Sequence, residues 1–408
     1  MAITDKDRNI LRTLAGRVAG IANLPEMAVR RRRLHALNAL NPEKPIVLCF
    51  PEGAWGELLP GSVCECSDPG LRGWEWDLRS RIYWWENIRD DNALEPKFNV
   101  GWRVNPGDYG VEIPYTHGGN RGSYRWDPPL KDVKADLGRI RFRSPSVDRE
   151  GTMQTVALAG EIFGDLLPPR IRGSHWWTMG LTWEAIKLVG LQEFMELMVE
   201  DPGAVHALMG WLRDEHMNFI SWFEREELLT PMDENDYVGS GGVGYTTELE
   251  EENPSKLANM WGFGESQETT AVSPAMFAEF ILPYQLPILE RFGLNCYGCC
   301  EPVHLRIDHI LKVPRLRRVS VSPWADQGIM AGRLGGRIIF SRKPNPTLIC
   351  AMFDEDLIRR DIKETLEAAG KNPLEIIMKD THTVQGKPDR ISRWTAIALR
   401  EVDRFARR

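Results

Sequence analysis

Toward its C-terminus the chain alternates short, β-branched apolar runs with amphipathic segments, and few architectures accept that pattern. "RRVSVSPWAD" stops at Ser-Pro, and "GRIIFSRKPNP" ends in prolines. "DEDLIRRDIKETLEAAG" reads as a helix, acidic at its start, apolar at Leu357, Ile358, Ile362 and Leu366, with Gly370 just past its end. "LEIIMKDTHTV" is another buried-type strand, and "PDRISRWTAIALREVDRFARR" is a closing amphipathic helix. Apolar strands alternating with helices imply parallel β/α units. Earlier strand ends follow at "PIVLCFPEGAW", "NVGWRVNPG", "LPPRIRGS", "LANMWGFGESQE" and "LNCYGC". Eight such units in 408 residues fit a closed (β/α)8 TIM barrel with insertions. An open doubly wound sheet is the alternative, but no glycine-rich phosphate fingerprint follows the first strand. "GSGGVGY" lacks that spacing and reads as a loop.

The chain reads as one domain. An N-terminal helical segment fills residues 1–44, and an irregular Trp- and Pro-rich insertion follows the first strand, over about 50–150. The insertion is too aromatic for disorder. The run Arg30 to Arg33 lies in a helix-like stretch and reads as a solvated face. A net charge of −7 gives no encouragement to a nucleic-acid or anionic-membrane partner. No apolar run approaches a membrane span, and no signal-like segment opens the chain. Seven cysteines, an odd number over a long chain, do not form a disulfide framework, so a cytoplasmic location with reduced thiols is expected. Fifteen tryptophans suit either a core or an apolar ligand site.

Barrel enzymes place their chemistry at the C-terminal strand ends. Here those ends offer Glu265, Gln267 and Glu268 after the fourth strand, and Tyr297, Cys299, Cys300 and Glu301 after the fifth. Trp324 and Asp326 follow the sixth, and Lys379, Asp380 and His382 the eighth. Alternation along a strand puts Tyr297, Cys299 and Glu301 on one face, with Cys300 on the other unless the strand has already ended. Asp380 and His382 share a face. Thiolate, carboxylate and imidazole together suit Zn²⁺. A reactive thiol without metal and simple burial are the competing readings. Cys64 and Cys66 read as an incidental pair, Cys49 and Cys350 as core, and His304 and His309 as structural. His175, beside Trp176 and Trp177, reads as packed or surface, with a ligand-facing role as the alternative.

"VSPAMFAEFILPYQLPILERFGLNCYGC" and "KDTHTVQGKPDRISRWTAI" resemble segments of the uroporphyrinogen decarboxylase superfamily. The resemblance runs from about residue 30 to the end. That group of barrels includes the decarboxylase and the corrinoid-dependent methyltransferases. The zinc methyltransferases carry His-x-Cys after the fifth strand and a further Cys after the eighth. Cys299 matches directly. Tyr297 stands where the histidine is expected, and His382 falls within a residue of the second cysteine. The resemblance therefore implies a zinc methyltransferase or demethylase with Cys299, Cys300, Glu301 and His382 as metal candidates. Tyr297, Glu265 and Asp380 become catalytic candidates, and Gln267, Trp324 and Asp326 cofactor-facing ones. A small-molecule methyl donor or acceptor is implied. A corrinoid (methylcobalamin) would be carried by a separate partner protein, and there is room for a homodimer. A cofactor-independent decarboxylase of a tetrapyrrole or other acid, and a non-catalytic ligand-binding barrel, are the alternatives. The decarboxylase's N-terminal arginine motif is not reproduced here.

Overall fold

The computed structural model of the chain describes residues 3–119, 123–173, 178–249 and 254–407. Strands form at β1 (Ile46–Cys49), β2 (Phe98–Val100), β3 (Pro169–Ile171), β4 (Trp261–Gly264), β5 (Leu294–Tyr297), β6 (Leu316–Val321), β7 (Ile339–Arg342) and β8 (Leu374–Met378). Six of them build one sheet in the order β1-β8-β7-β6-β5-β4, every pairing parallel. β1, β5, β7 and β8 are buried along their whole length. Burial on both faces is why they read as continuous apolar runs rather than alternating ones.

The eight-stranded closure expected from the sequence is not completed by strand pairing among the described residues. β2 and β3 pair with each other and stand apart from the large sheet. Aromatic packing holds them: Phe98 of β2 packs ring against ring with Trp74 and Phe163, which also meet each other. With Leu11, Leu14, Leu78 and Ile162 they make a second apolar cluster. The free edge of β1 is met by two side chains instead of a strand. Asp91 accepts from the Val47 amide and Asp90 from the Cys49 amide, both at 2.9 Å. The Asp91 amide in turn donates to the Val47 carbonyl at 2.9 Å. At the opposite edge Thr178 bridges to Phe263 in parallel, and the Met179 amide donates to the Phe263 carbonyl at 2.6 Å. Both edges are thus satisfied without two more regular strands.

The N-terminal segment forms helices Asp5–Ala22 and Pro25–Asn38. Arg30 and Arg33 are not solvated: each is 9% exposed. Arg33 pairs with Asp91 at 2.6 Å, and Arg30 holds Glu26 and the Asn92 carbonyl. The insertion is more regular than expected, containing helix Pro69–Tyr83 and two short antiparallel pairs. The closing helix Asp389–Ala406 buries Ile391, Trp394, Ala398 and Val402, one stripe at helical spacing. Among the described residues no helix is long and apolar enough to cross a membrane.

Inside the sheet the core is partly polar. Arg318 and Glu375, 2% and 1% exposed at their side chains, pair at 2.6 Å. Ser341 also donates to Glu375, and Lys343 donates to Ser341. Burial, with Lys379 and Arg318 nearby, pushes the Lys343 amine down to about 7, against the pull of Glu375. Parallel strands deliver all their C-terminal ends to one side of this core, and the candidate site lies there.

Candidate functional site

β5 ends at Tyr297, and Gly298 at φ +87° turns the backbone where an L side chain is rarely accepted. The turn ends the strand's alternation before the cysteines. Cys299 and Cys300 therefore do not point to opposite faces, and their sulfur atoms lie 3.6 Å apart. Cys299 is 8% exposed, whereas Cys300 is open to solvent.

Glu301 fixes this turn from below. One carboxylate oxygen accepts from the Ser266 amide at 3.0 Å and the other from the Cys299 amide at 2.8 Å. It is 2% exposed, and burial raises its carboxyl. Both oxygens are committed to backbone, so Glu301 is a brace beneath Cys299 rather than an open donor.

β8 contributes Lys379, Asp380 and His382, and the segment after β1 contributes Glu52. Glu52 accepts from the Asp380 amide at 2.9 Å. Ligand atoms of Glu52, Asp380 and His382 all lie within 4.8 Å of one another. Glu52 and Asp380 adopt φ +45° and +56°, an unfavourable region for residues with a Cβ. Such conformations persist where surrounding structure imposes them, and they concentrate at functional sites. Cys300 Sγ lies 3.9 Å from Asp380 Oδ2, which joins the thiol pair to the carboxylate–imidazole group.

Lys379 ties the halves together. Its ammonium is 3.3 Å from Ser240 Oγ, 3.7 Å from Asp380 and 4.0 Å from Glu52. Burial pulls its pKa down, but Tyr237, Cys299, Asp380 and Glu52 push it well above the lysine range. Ser240 Oγ is also 3.5 Å from Cys299 Sγ. The bond from Cys300, then the Lys379 charge and the Ser240 hydroxyl, outweigh burial and bring the Cys299 thiol down to about 7. The same sulfur–sulfur hydrogen bond, with burial, raises Cys300. Burial raises Glu52, with Lys379 opposing.

Ser240 belongs to the stretch read from sequence as a loop. It forms a tight hairpin, Tyr237–Val238 with Gly242–Val243, whose turn lies against the sheet. A Cβ on Gly239 would sit 2.6 Å from that of Cys296, so only glycine fits.

Tyr297 does not face the mouth. It is 1% exposed, and its hydroxyl donates to Gln285 at 2.8 Å. Gln285 in turn donates to the carbonyls of Gly180 and Glu265 at 2.7 and 2.8 Å. Burial, with Glu301 nearby, keeps the phenol far above its ordinary pKa. Glu265 is 4% exposed and accepts from Thr178 at 3.1 Å. Burial, then Glu268 and Glu301, push its carboxyl well above the usual range. Gln267 opens a short turn and donates its amide to Glu265.

Trp324 projects into solvent at 67% exposure. Asp326 caps helix Gln327–Leu334 through the Ile329 amide, and its own amide donates to His304. Cys350, expected in the core, lies at the rim with its thiol 3.9 Å from the Asp380 carbonyl. Cys64 and Cys66 are buried elsewhere, beside Glu75. His175 lies outside the described residues.

Sequence reading missed Glu52 and Ser240. Glu52 had a signal, since it follows a strand in "LCFPEG". Ser240 had none beyond its glycines. Carboxylate oxygens and an imidazole nitrogen meet in the Glu52, Asp380 and His382 group, with the Cys300 thiol 3.9 Å from Asp380, a donor chemistry that suits a borderline divalent ion such as Zn²⁺.

No protein-family model and no curated protein matches the chain. Among solved structures, a methyltransferase from Methanosarcina mazei is similar to it, with 12% identity and a TM-score of 0.49. The match covers 91% of this chain and 98% of that one. At that distance the function has to be read from the residues of the site.

Proposed function

We propose that the chain is a zinc-dependent methyltransferase on a uroporphyrinogen-decarboxylase-like barrel, working in the cytoplasm. It would move a methyl group between a small molecule and a corrinoid on a partner protein. The observation that carries this reading is the Glu52, Asp380 and His382 group at the ends of β1 and β8, with Cys300 3.9 Å from Asp380 and Cys299 3.6 Å from Cys300. His382 and the two cysteines remain from the ligand set implied by the resemblance, and Glu52 and Asp380 take the place of Glu301. When bound, Zn²⁺ supplies Lewis acidity and lowers the pKa of a coordinated thiol.

The chain's own groups do the rest. Glu301 sets the position of Cys299 through its amide. Lys379 and Ser240 hold negative charge at the Cys299 sulfur. Methyl transfer forms a bond to the incoming nucleophile and returns the old bonding pair to an oxygen or nitrogen leaving group. That group needs a proton, and the role of supplying it falls to Glu265, whose carboxyl burial pushes up. The mouth presents Glu52 and Asp380, an unfavourable setting for a polycarboxylate tetrapyrrole.

Elemental analysis tests the metal. Wild type is expected to hold about one Zn²⁺, and Glu52→Gln, Cys299→Ala and His382→Ala to lose most of it. Full occupancy in all three variants removes these residues from the site. A corrinoid supplied with methyl donors should change its visible spectrum. CO₂ release from a porphyrinogen without that change favours a decarboxylase. Neither response across a broad donor panel favours a binding protein.

A further inference from the structure

Adjacent cysteines on an extended chain present their thiols to opposite sides. Here the turn at Gly298 brings both sulfur atoms together, 3.6 Å apart, one of them exposed. We propose that Cys299 and Cys300 act jointly as a chelating dithiol for trivalent, thiophilic metalloid ligands of the organoarsenical type. This goes beyond the methyl-transfer reading and stands on the geometry of the pair.

Two outcomes compete for a close thiol pair: a direct sulfur–sulfur bond or a single bridging atom. A disulfide needs its sulfurs at about 2.05 Å and its Cα atoms about 4.4–6.8 Å apart. Consecutive Cα atoms are held at about 3.8 Å, so the direct bond is strained. A bridging atom asks far less. With bonds of about 2.3 Å, two sulfurs on one centre lie about 3.3 Å apart at near-right angles and about 3.8 Å apart in a tetrahedron. The observed separation falls between these values, so bridging moves each sulfur by only tenths of an ångström. The exposed Cys300 offers the entry point. Asp380 lies 3.9 Å from its sulfur.

The step balances without an oxidant. An arsenic(III) oxide R–As=O reacts with two thiols to form two As–S bonds. The arsenic–oxygen bonds break, and the oxygen leaves as water with the two thiol protons.

Phenylarsine oxide added to the full-length, zinc-stripped chain tests the proposal. Wild type should capture one arsenical per chain, lose two titratable thiols, and release the ligand to a competing dithiol but not to excess monothiol. Cys300→Ser and Cys300→Ala keep an exposed position of similar size and should fold. Each should weaken capture by about a hundredfold, the scale on which a second linked contact acts, and leave it reversible by monothiol. Cys350→Ser should behave as wild type. Dithiol-only release persisting in both Cys300 variants overturns the proposal, as does mapping of the arsenical to Cys64 and Cys66. Zinc analysis of the untreated protein keeps the two readings apart. Chelation by a wild type that never holds zinc supports the dithiol and overturns the metal reading alone.

Discussion

Replacing Tyr297 by Phe separates chemistry from packing at the residue where the chain departs from the zinc methyltransferases it resembles. The substitution keeps the ring and removes one oxygen. That oxygen donates to Gln285 Oε1, and Gln285 is fully buried with its amide nitrogen bound to two backbone carbonyls. The amide cannot turn to find a new donor, so its oxygen is left without this bond in a dry environment. A buried polar atom stranded in this way costs about 1–3 kcal/mol. Unfolding entropy of about 2.1 cal/mol/K per residue over 408 residues gives about 0.9 kcal/mol/K. For one cooperative transition, a loss of about 2 kcal/mol lowers Tm by roughly 2 °C. Calorimetry reads that shift, and denaturant titration reads the free energy directly. A double-mutant cycle with Gln285→Leu should show coupling of about 0.5–3 kcal/mol, as expected for residues in contact. On the proposed function, zinc content and methyl transfer should stay within about twofold of wild type. A variant as stable as wild type but down by about tenfold or more in turnover would refute this account. The hydroxyl would then be acting in the chemistry.

Gly53→Ala places a Cβ 2.9 Å from His382 Nδ1 and 3.1 Å from its Cα. On the proposed function, zinc affinity should fall by about 10–100-fold, as when a supporting contact of a metal ligand is lost; competition against a chelator measures it. Glu375→Gln leaves the Arg318 charge buried without its partner and should cost about 3–5 kcal/mol in denaturant unfolding. Buried Glu215 is held down to about 2, since bonds from His216 and Arg143 outweigh burial. Its folded pKa lies below the unfolded value, so its contribution is present above about pH 4.5 and is lost as pH falls toward 2. The difference is worth about 3 kcal/mol. Glu215→Gln should flatten the acid limb of the stability profile; an unchanged slope would show that other carboxylates dominate it.

Much of the frame was legible because buried parallel strands are continuous apolar runs. β4 to β8 and β1 all fall on stretches that the sequence marks as strands, β6 starting one residue earlier at Leu316. β2 and β3 were legible as strands but not as neighbours. A short apolar run states that a segment is extended and buried, not which segment it pairs with. Trp74 and Phe163 draw β2 into a separate cluster, while Asp90 and Asp91 satisfy the edge that a barrel strand would have filled. Arg30 and Arg33 misled for a similar reason. Their local pattern is that of a solvated face, and Asp91, the partner of Arg33, lies far along the chain.

By itself the sequence determined which residues are available at the strand ends: the cysteines, Asp380 and His382 follow directly from parallel β/α order. Tertiary structure decided which of them meet and in what state. Strand alternation predicted Tyr297, Cys299 and Glu301 on one face, but Gly298 breaks the period after a single residue. Tyr297 is therefore turned to Gln285, Glu301 becomes a brace, and Cys300 joins Cys299. Glu52 and Ser240 reach the site from segments far from β5 in sequence, and Lys379 takes its charge state from the acidic groups that fold around it. Local periodicity fixes the direction of a side chain only while the backbone stays regular. Partner, burial and charge are set by residues that only the folded chain brings within reach.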